Sequence, residues 1–357
     1  MSAAASKTTA KTPVGILGAT GVVGQRLLSL LDAHPWFEPV WLAASDRSSG
    51  KSYGEATRWR LASELPPRFA RLPVSPATPE GCGAKIVFAA LDAAVARELE
   101  PAFARAGHAV ISNSSALRMV EDVPLVVPEC NPDHLALIER QASFRAGGGF
   151  AITNPNCSTV GLVMALAPLE RAFGVESVFA VTMQAVSGAG YPGVASLDIL
   201  GNVVPHIAGE EEKMECEAQK ILGRLTPGGI APADFVVAAH CNRVAVVDGH
   251  MASVSVKLRR KAALAEVAER WREFSARPQS LGLPSAPTSP IVVASAADRP
   301  QPRFDVETGS GMSVVVGRLR PCTIFDFKFT VLSHNTLRGA AGAALLNAEL
   351  LRAEGWL

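Results

Sequence analysis

Apolar residues fall in short blocks through the first half of the chain, each followed by a stretch with helical spacing. The run VGILGA after Pro13 reads as a buried strand, and residues 22–31 carry a helical pattern. Residues 40–44 and 86–90 are short and apolar like strands, 93–106 is helix-patterned, and 108–111 returns to strand. Such alternation predicts βαβ units and a mostly parallel sheet. The second half differs. Residues 177–184, 235–239, 252–258, 313–319 and 325–332 read as strands, with helical stretches at 194–202, 210–222 and 262–275. Long strands with few crossovers predict a larger mixed or antiparallel sheet with helices on one face. The proline-rich residues 277–303 read as a surface excursion, and 335–354 as an amphipathic helix that can return to the first domain. Residues 1–12 are small, polar and basic, and read as a frayed arm rather than a targeting segment.

Composition narrows the class. The chain has 357 residues, more than twice the usual ~150-residue domain, which predicts two domains. Hydrophobic residues at 48% against 19% charged describe a globular chain. Lys plus Arg is 34 and Asp plus Glu is 33, so no charge imbalance calls for nucleic acid or an anionic membrane. No apolar run approaches the ~18 residues that span a bilayer. The six cysteines contain no C-x-x-C pair, which argues against a zinc cage and for reduced thiols in a cytoplasm. No metal is expected.

The segment GILGATGVVGQRLL places Gly18, Gly21 and Gly24 between a strand and a helix. Glycines there permit a tight turn and close approach of backbone to a pyrophosphate, which then rests on the helix N-terminus. The spacing is G-x-x-G-x-x-G rather than G-x-G-x-x-G, so the strand–loop–helix context carries the reading. After the second strand come Ser45, Asp46, Arg47, Ser48 and Lys51. Hydroxyls, a guanidinium and an ammonium suit a ribose 2′-phosphate, hence NADP, although Asp46 is also suited to the 2′-OH of NAD. A Tyr-x-x-x-Lys pair is excluded: of the two tyrosines, Tyr53 is followed four residues on by Thr57 and Tyr191 by Ala195.

Cys157, in TNPNCSTVGLVMALAPL, stands just before an apolar helical run, with Ser158 and Thr159 as candidate caps. A helix N-terminus predicts a lowered thiol pKa. A thiolate beside a nicotinamide implies a specific chemistry: addition to an aldehyde, loss of hydride from the adduct, and a thioester left on the cysteine. The other cysteines read as packing residues.

The segments GATGVVGQ, ASDRSSGKSY, SNSSALRM, VPECNPDH, NPNCSTVGL, MQAVSGAGYPG, GEEEKME, NRVAVVDGH, RPQPRFD, VGRLRPC and HNTLRGAAGAALLNAELL follow one another over nearly the whole chain. In that order they resemble the aspartate-semialdehyde dehydrogenase family of the archaeal and fungal type. The resemblance implies a Rossmann-type dinucleotide-binding domain plus an α+β catalytic and dimerisation domain with a large mixed sheet. It places the first domain at 1–156, completed by the C-terminal helix 335–357, and the second at 157–334. It implies NADPH-dependent conversion of L-4-aspartyl phosphate to L-aspartate 4-semialdehyde and phosphate, on the route to lysine, methionine and threonine, by a cytoplasmic homodimer or homotetramer.

Carried over residue by residue, the resemblance makes Cys157 the nucleophile, His250 the acid/base and Gln184 the residue orienting the thioester. Arg243 becomes the clamp on the substrate α-carboxylate, and Glu210, three residues before Lys213, the partner of the substrate ammonium. Arg118, Lys213 and Asn156 form the phosphate pocket. Cofactor contacts fall to Gly18, Thr20, Gly21, Val22, Val23 and Gly24, to Ser45, Arg47, Ser48 and Lys51, and to Ser187, Gly188 and Asn335. Cys130 and Ala245 depart from the family pattern without touching these roles. Malonyl- and succinyl-CoA reductases keep the cysteine and histidine and release CoA. N-acetyl-glutamyl-phosphate reductases have an acylated substrate amine, which gives Glu210 no cation to pair with. Glu210 and the phosphate pocket are what separate these activities in the sequence.

Overall fold

The strands of the first half pair only in parallel. In the computed structural model, which describes residues 10–357, β1 (Thr12–Leu17), β2 (Phe37–Ala43), β3 (Val74–Ser75), β4 (Ile86–Ala89), β5 (Ala109–Ser112) and β6 (Phe150–Thr153) lie in the order β3-β2-β1-β4-β5-β6. β4, β5 and β6 are buried on both faces, as strands sandwiched between helices must be. The order reverses between β1 and β4, the place where doubly wound sheets open a crevice for ligands. Of the arm expected at 1–12, residues 1–9 lie outside the described residues, and Thr12 already belongs to β1.

The glycines after β1 are sterically required. Gly18 has φ +76°, and a Cβ there would stand 2.3 Å from the Ala90 carbonyl at the end of β4. A Cβ on Gly24 would meet the Gly18 carbonyl at 2.5 Å. Both positions let the helix Val22–Leu31 start hard against the strand ends.

β7 (Val175–Gln184) begins the second sheet. A hairpin, β8 (Arg224–Thr226) and β9 (Gly229–Ala231), stands apart. β10 (Val236–Arg243), β11 (His250–Leu258), β12 (Ile291–Val293), β13 (Val314–Pro321) and β14 (Phe327–Ser333) complete a mixed sheet of order β10-β7-β11-β14-β13-β12. Val178, Ala180, Val237, Ala239, Val254 and Val256 face one core with the helices Cys157–Phe173, Glu210–Ile221 and Leu264–Arg272. On the opposite face Val236 is 66% exposed and His240 is exposed as well.

Three expectations need correction. Only Ser196–Ile199 of 194–202 is helical, because Leu197 and Leu200 find nothing within the chain to bury them. The proline-rich 277–303 is not purely superficial: Ile291–Val293 pairs parallel with β13 as an edge strand, and Leu283 and Ile291 are buried. The 335–354 stretch is neither amphipathic nor one regular helix. A π-turn, Leu337–Ala341, precedes the helix Gly342–Ala353, which is buried on nearly every side. Leu345, Leu346 and Leu350 pack with Val14, Ile16 and Ile111 of the first sheet.

The π-turn is anchored by a fully buried ion pair. Arg338 Nη1 donates to Glu129 Oε1 at 2.8 Å and Nη2 to Oε2, with both side chains shielded from solvent. This holds Gly339 so close to Cys157 that a Cβ would lie 2.7 Å from the cysteine Cβ. Removing one partner of such a pair strands the other charge in the core. Glu129→Ala is therefore expected to cost about 3–5 kcal/mol in denaturant unfolding; a loss under about 0.5 kcal/mol, the size typical of surface substitutions, would contradict the anchoring.

Candidate active site

The register of the second sheet lines up four strand ends. Arg243 pairs with Gln184 across β10 and β7, and His250 with Ser333 across β11 and β14. Met251 pairs with Met183 one position inward, so His250 stands beside Gln184. Residues paired across a sheet project from the same face, and Gln184, Arg243, His250 and Ser333 all turn to the buried, helix-covered side.

The helix that begins at Cys157 lies over this row. A Cβ on Gly161 would sit 2.7 Å from Ser333 Oγ, so glycine allows the close approach. Cys157 is the first residue of the helix Cys157–Phe173. Its cap is Asn156 rather than Ser158 or Thr159: Asn156 Oδ1 accepts from the Ser158 N–H at 2.9 Å and the Thr159 N–H at 3.3 Å. The Ser158 and Thr159 hydroxyls are buried without partners.

A second helix, Glu210–Ile221, brings charge to the same place. Glu210 accepts from Asn156 Nδ2 at 2.9 and 2.8 Å on its two oxygens, and from Lys213 Nζ at 3.2 Å. Gln184 Nε2 lies 3.4 Å from Glu210 Oε2. Arg118 is buried. It donates to Glu217 Oε1 at 2.8 Å and the Asn113 carbonyl at 2.8 Å, while its Nε–H has no partner. Glu217 Oε2 accepts the backbone N–H of Asn156 at 2.6 Å, so one carboxylate joins Arg118 to the residue preceding Cys157. Arg243 Nη1 donates to the Ala185 carbonyl at 2.9 Å.

Most of these side chains line one cavity of about 680 Å³ between the two sheets. One end has Cys157, Gln184, Arg243, Glu210, Lys213, Asn156 and Arg118; the other has Gly21, Val22 and Val23. Ser187, Gly188 and Asn335 line it between them, and Asn335 ties the elements together by accepting from the Gly249 N–H and donating to Ser187 Oγ. Gly18, Thr20 and Gly24 shape the loop without lining the cavity. Ser45, Arg47, Ser48 and Lys51 also lie off it, in the turn after β2, whose Ala43 carbonyl receives the Gly18 and Ala19 N–H groups. Asn113, Ser114 and Ser115, at the end of β5, join the lining and were not singled out from sequence. Glu217 was also missed, although its seven-residue spacing from Glu210 puts it on the same helix face.

No side chain caps the helix that starts after Gly21, so its first-turn N–H groups face the crevice unclaimed by side chains. That backbone, with glycines where a Cβ would intrude, fits a dinucleotide pyrophosphate.

The resting thiol differs from the sequence expectation. Burial pushes Cys157 up to about 12, the Glu210 carboxylate adds to the rise, and Arg118 and Arg243 offset only part of it. The helix N-terminus does not overcome desolvation in the free site. Burial and Arg243 push His250 down to about 3, so its ring is neutral. His250 Nδ1 accepts the Ala185 N–H at 3.1 Å, which places the ring proton on Nε2. Nε2 has no partner, and His250 does not line the cavity: Gly188 covers it, and a Cβ there would lie 2.8 Å from Nε2.

A parallel sheet of the dinucleotide-binding kind, with a glycine loop and a thiol opening into the same crevice, fits a nicotinamide-dependent oxidoreductase. The family model "Semialdehyde dehydrogenase, NAD binding domain" matches residues 13–138, and "Semialdehyde dehydrogenase, dimerisation domain" matches 166–338. An aspartate-semialdehyde dehydrogenase of Methanothermobacter thermautotrophicus is 50% identical over 95% of this chain and 98% of its own. One from Cryptococcus neoformans is 47% identical over 96% and 97%. A crystal structure of the Candida albicans enzyme with NADP has a TM-score of 0.91 at 43% identity, covering 97% of this chain and all of that one. The chain belongs to the aspartate-semialdehyde dehydrogenase family.

The thiol's surroundings generate a prediction. Glu210→Gln keeps a hydrogen-bond acceptor and removes the anion that helps hold the thiol protonated. Alkylation of Cys157 by iodoacetamide at fixed pH is expected to speed up several-fold, with its pH profile moved to lower pH. An unchanged profile would show that the carboxylate does not act on the sulfur.

Proposed function

We propose that the chain interconverts L-aspartate 4-semialdehyde plus phosphate with L-4-aspartyl phosphate, using NADP(H) and a thioester on Cys157. The observation that carries this reading is the placement of Cys157, Arg243, Glu210, Arg118 and Lys213 around one cavity continuous with the glycine loop. Arg243 has N–H groups left to take the substrate α-carboxylate as a fork. Glu210 takes the substrate ammonium. That cation offsets the Glu210 charge that raises the thiol pKa, while the substrate carboxylate offsets the Arg243 charge that lowers it, and the thiol proton leaves to cavity water as the sulfur attacks.

The sulfur then bonds to the aldehyde carbon, and the carbonyl π electrons become an oxyanion. His250 Nε2–H is the donor for that oxygen once the Ser187–Gly188 turn is displaced from the ring. A nicotinamide dinucleotide held at the Gly21–Val23 turn would supply the hydride acceptor, and loss of hydride from the adduct carbon leaves the thioester on Cys157. A phosphate oxygen, drawn between Arg118 and Lys213, attacks the thioester carbon, and the thiolate departs. Both domains contribute to the site: 1–156 with 335–357 carries the glycine loop and Arg118, and 157–334 carries Cys157, Arg243, Glu210 and Lys213. The exposed face of the second sheet is the surface for a second copy, as the dimerisation-domain match supports.

NADP reduction by aspartate semialdehyde, with phosphate, with CoA or with neither, tests the activity. Phosphate alone is expected to sustain turnover, and its omission to leave one NADPH per site. Sustained turnover with CoA and none with phosphate would move the assignment to the acyl-CoA reductases.

Arg118→Ala is a poor probe because it leaves the buried Glu217 unpaired. Arg118→Lys keeps the charge but cannot span Glu217, the Asn113 carbonyl and phosphate together. It is expected to raise the phosphate KM about tenfold while the phosphate-free burst persists. An unchanged phosphate KM would remove Arg118 from the acceptor site.

The exposed turn after β2 is assigned to the 2′-phosphate. Arg47→Ala is expected to weaken NADP by about 1.5–3 kcal/mol, the range for hydrogen bonds to charged groups, and to leave NAD little changed. Titration of both cofactors checks this, and equal losses would contradict it.

A further inference from the structure

Lys220 lies outside the cavity, yet its ammonium is spent entirely on the segment that carries Arg118. Nζ donates to the carbonyls of Arg118 at 2.7 Å, Val120 at 2.8 Å and Val123 at 2.9 Å. A lysine ammonium has three N–H donors, so all are consumed. Lys220 is only 7% exposed, and taking its charge out of water is costly unless the bonds it makes are good ones.

Glu210, Lys213, Glu217 and Lys220 are spaced three, four and three residues apart on one helix, which puts them on one face. Glu210 and Lys213 face the substrate end of the cavity. Glu217 grips the Arg118 guanidinium, and Lys220 grips the Arg118 main chain and the turn after it. Arg118 comes from the first sheet's side of the molecule, following β5, whereas Lys213 belongs to the helix itself. The two cations assigned to phosphate are thus held to a common rigid element through Lys220.

We propose that Lys220 is a positioning residue for the phosphate-accepting half of the reaction: it fixes the Arg118 loop on the helix that carries Lys213, so that both cations meet one phosphate. This rests on the assignment of Arg118 and Lys213 to phosphate given above. Lys220 touches neither substrate nor cofactor, and it acts only through the loop. The hydride half-reaction depends on Cys157, Arg243, Glu210 and the dinucleotide, none of which Lys220 contacts.

The test compares wild type, Lys220→Met and Lys220→Arg in the full-length protein, with aspartate semialdehyde and NADP. Steady-state phosphate KM is measured alongside the NADPH burst in rapid mixing without phosphate. Lys220→Met is expected to raise the phosphate KM about tenfold, keep a burst of one NADPH per site and leave the semialdehyde KM within about twofold. Lys220→Arg, which restores several N–H donors, is expected to recover most of the loss. Should the Met variant fail to fold, Lys220→Gln leaves two N–H donors for three carbonyls and is expected to show the same split in smaller degree.

A phosphate KM within twofold of wild type in a folded variant overturns the proposal. So does a parallel fall of burst amplitude and phosphate step, which marks a general structural role. Arg118→Lys separates this from the underlying reading. If that variant raises the phosphate KM and the Lys220 variants do not, only the positioning role fails. If none of them changes it, the phosphate assignment itself is wrong.

Discussion

The cross-strand register of the second sheet is the constraint on which the site depends. Arg243, Gln184, His250 and Ser333 come from four different strands, β10, β7 and β14 running one way and β11 the other, and share a face only because the four pair in this alignment. A slip of one residue in any strand turns its end residue to the opposite face. Alternating core residues beneath each end set the alignment: Val237, Ala239 and Cys241 under Arg243, and Ala252, Val254 and Val256 next to His250. Burying those apolar side chains and aiming the polar ends are therefore one event.

Onto that fixed row the chain lays two helices by different means. The Cys157 helix approaches through Gly161, whose missing side chain brings its axis down on Ser333. The Glu210 helix is held by charge, with Glu217 joining Arg118 to Asn156. The free site that results is electrostatically closed: Glu210 bonds to Asn156 and Lys213, Arg118 to Glu217, and the thiol keeps its proton.

Much of this was legible in the sequence because local patterns decide it. The helix at 22–31 begins where the glycine loop ends, and five of the six strands of the second sheet were marked by their apolar runs to within a few residues, the edge strand Ile291–Val293 being the exception. Motif resemblance brought together Cys157, Arg243, Glu210, Arg118 and Lys213, which do converge. What was missed is set by tertiary context. Ser158 and Thr159 are good caps in isolation, but Asn156 alone reaches both the first-turn N–H groups and Glu210. The thiol shift reversed because desolvation is invisible in a one-dimensional pattern. Glu217 and Lys220 carry no motif of their own, and their burial against a loop a hundred residues earlier is set by the tertiary packing. The last helix lost its amphipathic reading because it is buried on nearly every side, against the first sheet and behind the π-turn.

The central claim is that chemistry passes through a covalent bond to Cys157. Intact-protein and peptide mass spectrometry after mixing the enzyme with aspartate semialdehyde and NADP, without phosphate, addresses it directly. The account predicts a mass gain of one aspartyl group per chain, confined to the peptide bearing Cys157 and discharged on adding phosphate. Stoichiometric NADPH with no adduct, or an adduct on another cysteine, would contradict it.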